Sequence, residues 1–181
     1  MQKLKVLGVV GACLLGATSV AKADPTEFTG FQVGALLGMS GAHLKEGDNL
    51  YTSNNGASLG LYLGYGMVLS GFFVGVDGNY TLPFVKVGGT GAEEKYKSSV
   101  DLALRFGMDL QKVAMPYLRL GYAMNKLEDE SFSGFACGIG IDTKLAPQAV
   151  LGLEAMQTLC SKKGDAEAKF STVRLKVAFH L

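Results

Sequence analysis

Apolar residues occupy every second position along most of this chain, and a period of two marks a β-strand with two unlike faces. Between Ser58 and Val68, Leu59, Leu61, Leu63, Tyr65 and Met67 share one face, while Ser58, Gly60, Tyr62, Gly64 and Gly66 share the other. Between Phe72 and Leu82, Phe72, Val74, Val76, Gly78, Tyr80 and Leu82 oppose Phe73, Gly75, Asp77, Asn79 and Thr81. Glycine makes up 25 of the 181 residues, and at that density a helix would be badly destabilised.

The same alternation predicts six more strands: Phe31 to Gly41, Tyr96 to Met108, Pro116 to Met124, Gly134 to Thr143, Ala149 to Leu159 and Ser171 to Leu181. In the fourth strand Tyr96, Val100, Leu102, Leu104, Phe106 and Met108 face Lys97, Asp101, Ala103, Arg105 and Gly107 across the pleat. The connectors alternate in length. Those at 42–57, 83–95, 125–133 and 160–170 are long and polar, and those at 69–71, 109–115 and 144–148 are short. Short turns at one end and long loops at the other predict an all-β fold, an eight-stranded antiparallel up-and-down transmembrane β-barrel.

The contents of the two faces decide which one points inward. The glycine-rich face carries Asp77, Asp101, Arg105, Arg119, Asp142, Glu154, Arg174 and Lys176. Turned outward, this set would be the solvated surface of a soluble lipocalin-like carrier with an apolar interior. Glycine, however, is disfavoured on a pleated outer surface. Inside a narrow eight-stranded barrel the glycines leave room for long charged side chains, whose signs balance and can pair. The expected arrangement is therefore a polar, side-chain-filled interior and an apolar, lipid-facing wall.

The N-terminus carries a separate signal. Lys3 and Lys5 precede an apolar run from Val6 to Val20, which ends at Ala21-Lys22-Ala23. This reads as a signal peptide over residues 1–23, cleaved before Asp24, with a barrel domain over residues 24–181. The run is short for a membrane-spanning helix, and no other apolar stretch reaches the length of one. A formal net charge of +1 offers no footprint for nucleic acid.

Aromatic residues on the apolar face are expected in two belts. Phe31, Tyr65, Phe72, Phe106 and Phe179 lie at the short-turn ends of their strands, and Tyr80, Tyr96, Tyr122 and Phe135 at the long-loop ends. Aliphatic residues fill the middles, which is the profile of a wall crossing two membrane interfaces. With its leader, eight alternating strands and a chain ending on the last strand, the sequence resembles the small OmpA/OmpX-type barrels and opacity-type surface antigens. The resemblance implies the outer membrane of a Gram-negative bacterium, with loops exposed at the surface. It also implies that Val177, Phe179 and Leu181 form a C-terminal signal read by the outer-membrane assembly machinery, and that outer-membrane lipid is a partner.

Candidate chemistry is sparse. The two histidines fall at opposite ends: His43, with Ser40 and Glu46 nearby in sequence, opens the first long loop, and His180 lies at the short-turn end. Catalysis by nucleophile and base requires groups within hydrogen-bond reach, so no catalytic residues, no cofactor and no enzyme are expected. No Cys/His spacing fits a metal site. Cys137 and Cys160 sit at the long-loop ends of the sixth and seventh strands, where a turn near 145–148 would set them almost opposite each other. A disulfide between them and a pair of free thiols, with Cys137 facing lipid and Cys160 in the loop, both remain open. The reading that follows is a structural or surface-interaction barrel meeting a host or environmental ligand through four external loops. A narrow small-solute channel is the alternative.

Overall fold

The computed structural model describes residues 28–46, 49–52, 55–89, 92–111, 113–127, 130–161 and 166–181. The expected signal peptide and the tips of the longer connectors lie outside the described residues. Ten strands form one antiparallel sheet: β1 (Gly30–Glu46), β2 (Asn49–Thr52), β3 (Gly56–Leu69), β4 (Phe72–Pro83), β5 (Val85–Gly89), β6 (Ala92–Met108), β7 (Ala114–Leu127), β8 (Glu130–Ala146), β9 (Ala149–Ser161) and β10 (Ala166–His180). Eight of them build the wall in the order β10-β9-β8-β7-β6-β4-β3-β1, and β10 pairs with β1 to close it. The closing register runs from Gln32 opposite His180 to Glu46 opposite Ala166, so neither strand is left as an edge. Among the described residues no helix is long and apolar enough to cross a membrane.

All eight expected strands are present, and each of them runs further toward the long-loop end than the alternation indicated. β2 and β5, inside the expected loops 42–57 and 83–95, pair with β1 and β6 and lengthen the wall there. The apolar face stops where the wall leaves the hydrocarbon layer, whereas backbone pairing continues into water. A reading based on apolar alternation therefore ends each strand too early. At the other end the connections are tight. Ser70 and Gly71, with φ of 52° and 87°, form the two-residue turn between β3 and β4, and positive φ at both positions is the geometry that matches the twist of the flanking strands.

The faces are oriented polar-in and apolar-out. Leu37, Leu63, Leu102, Leu104, Ile139, Leu153 and Val173 are exposed on the outside, and the charged set is buried inside. The soluble-carrier reading, which required the reverse, does not hold. Phe31 and Tyr65, cross-strand partners at the short-turn end, are in tilted ring contact outside, with centroids 4.7 Å apart.

Two expectations are corrected. Tyr96 does not belong to the outer aromatic belt: it is 3% exposed and points inward. The cause is an irregularity in the β6–β7 ladder, where Tyr96 pairs with Leu127 and Ser98 with Lys126, leaving Lys97 as an extra residue. A bulge of this kind shifts the alternation by one, so Lys97 turns outward and Tyr96 inward. The second concerns Cys160: of the two open states the structure has both cysteines as free thiols, but Cys160 lies in β9 rather than in the loop. Cys137 pairs with Gln157, and Cys160 pairs with Gly134, a stagger of three residues. An odd stagger places the two thiols on opposite faces of the sheet: Cys160 is buried inside and accepts a hydrogen bond from Asn125 Nδ2 at 3.5 Å.

This placement predicts the reactivity of the thiols. Non-reducing mass spectrometry should find both unbonded. A lipid-soluble maleimide should modify Cys137 in the folded barrel, while Cys160 should react only after unfolding. Equal labelling of both in the folded state would contradict the inward position of Cys160.

Candidate functional site

Inward-facing side chains come from the glycine-rich face of each strand, and the strands bring eight charged groups into the lumen. Asp77 projects from β4, Asp101 and Arg105 from β6, Arg119 from β7, Asp142 from β8, Glu154 from β9, and Arg174 and Lys176 from β10. Four are acids and four are bases, and none is more than 5% exposed. They form one connected ion network. Lys176 Nζ lies 2.7 Å from Asp142 Oδ2, which also pairs with Arg105 Nη1 at 3.0 Å. Arg105 reaches Asp77 at 3.6 Å, and Asp77 pairs with Arg119 at 2.9 Å. Arg119 also pairs with Asp101 and with Glu154, and both of those acids are held by Arg174. The last four groups thus close a ring in which each charge touches two of opposite sign.

Aromatic side chains enclose the cations further. The Arg105 guanidinium lies 5.4 Å from the Tyr62 ring centroid, 5.1 Å from Phe73 and 5.3 Å from Tyr117, within cation–π range. Lys176 Nζ lies 4.5 Å from the Tyr62 ring. Tyr62 donates to Gln32 Oε1 at 3.1 Å and accepts from Arg105, and Tyr117 donates to Glu154 at 3.0 Å. Glycine makes these positions available. A Cβ on Gly75 would come within 2.8 Å of the Phe73 ring, and one on Gly140 would collide with the Tyr117 phenol. The alternation places Tyr62, Phe73 and Tyr117 on the inner face, but which charges they cover depends on the cross-strand register.

Apolar clusters lie at both ends of this polar layer. At the short-turn end Phe28, Phe73, Met115, Tyr117 and Val150 pack together with Val68 against them. At the long-loop end Ala42, Tyr96, Leu127, Phe132, Cys160, Ala168 and Phe170 form a second cluster. Its members come from β1, β6, β7, β8, β9 and β10, so it reaches across the lumen from six of the eight wall strands. Tyr96 and Phe170 are in ring contact at 5.2 Å, and the Tyr96 hydroxyl donates to Asn125 Oδ1 at 2.5 Å. Sequence reasoning missed Phe170, Phe132 and Tyr96 as interior residues: the first two lay in segments taken for loops, and the third lay beyond the bulge. Carrying the phase of Arg174 and Thr172 back along β10 would have found Phe170.

The remaining candidates are dispersed. His180 is buried at the short-turn end, 3.3 Å from the Gln32 side-chain nitrogen, whereas His43 is exposed near the other end. The register separates their rows by eleven residues on β1, roughly 36 Å of strand. Val177 is exposed outside, Phe179 and Leu181 are half-buried, and the Leu181 N–H donates to the Phe31 carbonyl at 2.9 Å. Among the described residues no group of three or more His, Cys, Asp or Glu could hold a metal ion.

Comparison with known proteins agrees with this architecture. Residues 10–180 match the family model described as outer membrane protein beta-barrel domain. Among solved structures, Neisserial surface protein A is 16% identical with a TM-score of 0.59, covering 84% of this chain and 98% of that one. Ail, the attachment invasion locus protein of Yersinia pestis, is 16% identical with a TM-score of 0.54, covering 84% and 100%. OprG from Pseudomonas aeruginosa is 13% identical with a TM-score of 0.50, covering 87% and 98%. At these identities the likeness is one of fold. A search of curated protein sequences finds no match. The chain belongs to the outer membrane protein beta-barrel domain family and is an integral protein of the Gram-negative outer membrane.

Proposed function

We propose that this barrel is a sealed scaffold that carries surface-interacting hairpins, with no catalytic role and no standing pore. The observation that carries this reading is the layered lumen: an ion network in which every charge has a partner of opposite sign, lying between two apolar clusters, each drawn from strands around the wall. An eight-stranded barrel is only wide enough for side chains to fill it, and here they do. A solute in transit would have to break several buried ion pairs at once. What varies freely on such a scaffold is the set of connectors beyond the outer cluster, and specificity for a host or environmental surface resides there. On the same reading residues 1–23 are an export leader removed before assembly, and Val177, Phe179 and Leu181 are the strand-end signal for the assembly machinery.

Single-channel recording of the purified protein in planar bilayers tests the seal. The expected result is a baseline without regular steps. A reproducible unitary conductance would overturn the sealed reading in favour of a narrow channel.

The network also predicts a stability effect. Arg119 pairs with Asp77, Asp101 and Glu154, so Arg119→Met leaves three buried acids short of their partner. Removing one member of a buried ion pair costs about 3–5 kcal/mol, and Arg119→Lys should recover part of that. Because the chain has no Trp, unfolding in urea is best followed by loss of the heat-modifiable folded band on gels. An unchanged midpoint for Arg119→Met would refute the network as a stabilising unit.

A further inference from the structure

Beyond the lysines near its outer rim, Lys97 and Lys126, the outer wall departs from its apolar rule on β8, β9, β10 and β1. Three successive rows of cross-strand partners define it. The lowest is apolar: Ile139, Ala155, Val173 and Met39. These residues, with Leu118, line a groove of about 650 Å³ open to the lipid side. In the next row Cys137, Gln157 and Ser171 are partners in turn, and all three border the same groove. The row above begins with the exposed aromatic Phe135 and then passes through Leu159 to Lys169 and His43. Gln157, Ser171, Lys169 and His43 are all exposed on the outer wall.

Within a single stripe the chemistry thus runs from apolar recess to amide and hydroxyl to cation and imidazole, going toward the outside of the cell. Gln157 lies one row below Leu159, which is itself 48% exposed, so it sits within the lipid-facing wall rather than past its edge. An amide facing hydrocarbon is costly unless something hydrogen-bonds to it. An outer-leaflet amphiphile whose acyl chain fills the groove would satisfy it through the amide, ester or hydroxyl groups at the root of that chain. Lys169 and His43, one row above Ser171 and about 7 Å further along the strand, would then meet the headgroup.

We infer that this stripe is a binding site for one acylated, phosphate-bearing lipid of the outer leaflet. The phosphate is held by Lys169 and His43, the chain root by Gln157 and Ser171, and the chain by the groove over Ala155. The site is on the outside of the barrel and stands independently of whether the lumen is sealed.

Native mass spectrometry of the detergent-folded protein with micellar diphosphoryl lipid A tests the assignment. The wild type should retain one lipid per barrel. Lys169→Met and Gln157→Leu each replace an outward polar group by an apolar one and so keep the wall compatible with insertion. Each should lose retention by about fivefold, which for Lys169→Met is the scale of one cationic contact at an anionic surface and for Gln157→Leu that of one net hydrogen bond. Lys126→Met, at an exposed lysine on β7 outside the stripe, should bind like the wild type. Folding of every variant is checked by heat-modifiable migration, and His43→Gln replaces Lys169→Met if the latter fails that check. The inference is overturned if Lys169→Met and Gln157→Leu retain lipid like the wild type, or if Lys126→Met loses as much as they do. It is also overturned if dephosphorylated lipid binds equally well, or if millimolar inorganic phosphate alone displaces the lipid, which would identify a free-anion site.

Discussion

Closure of the β1–β10 ladder is the constraint on which the rest of the structure depends. In hydrocarbon no water can satisfy a backbone N–H or C=O, so a sheet crosses a membrane only when it has no edge. Pairing β10 to β1 removes the edge, and it also creates a lumen narrow enough that every inward side chain must contact others. Charges placed there have no solvent to retreat to. They must be balanced and mutually paired, as Asp77, Asp101, Asp142 and Glu154 are with Arg105, Arg119, Arg174 and Lys176.

A buried ion network is weak ground for arguing stability, since desolvation offsets most of the attraction. Its contribution here is to fix the faces. A barrel apolar on both sides would have no preference between a strand and the same strand slipped by one residue, because a slip exchanges inner and outer sets. With Arg119 inside and Leu118 and Leu120 outside, a slip of β7 would put a guanidinium into lipid and abandon three acids in the lumen. The Tyr62, Phe73 and Tyr117 rings strengthen this restriction, because each needs a gap that only a glycine on its own or a neighbouring strand provides. Register, charge pairing and glycine placement are thus three expressions of one requirement.

The features legible in the sequence were those that repeat. Alternation exposed eight strands, their faces and the charged interior, because lipid outside and confinement inside impose opposite chemistry at every second residue. Features that depend on a single local irregularity were hidden. Nothing in Tyr96-Lys97-Ser98 announces a bulge, and one extra residue is enough to move Tyr96 from the belt to the lumen. The relation of Cys137 to Cys160 depended on the exact stagger of β8 and β9, which approximate turn placement could not supply. Strand ends were missed for a different reason: outside the hydrocarbon the backbone keeps pairing after side-chain polarity has stopped reporting on it.

The two rules of the wall, polar within and apolar without, are each broken where the medium changes. Inside, the rule fails at the ends of the ion network, where Phe28 with Phe73 and Phe170 with Tyr96 pack among other apolar side chains and keep water from the buried charges. Outside, it fails where Gln157 and Ser171 interrupt the apolar surface beneath Lys169 and His43. The first exception protects charges from a solvent that would screen and separate them. The second presents polar groups where lipid itself becomes polar, at the root of its chains and its headgroup. A wall built only to insert would have no use for an amide below Leu159, so that position is where the barrel distinguishes one lipid from bulk hydrocarbon.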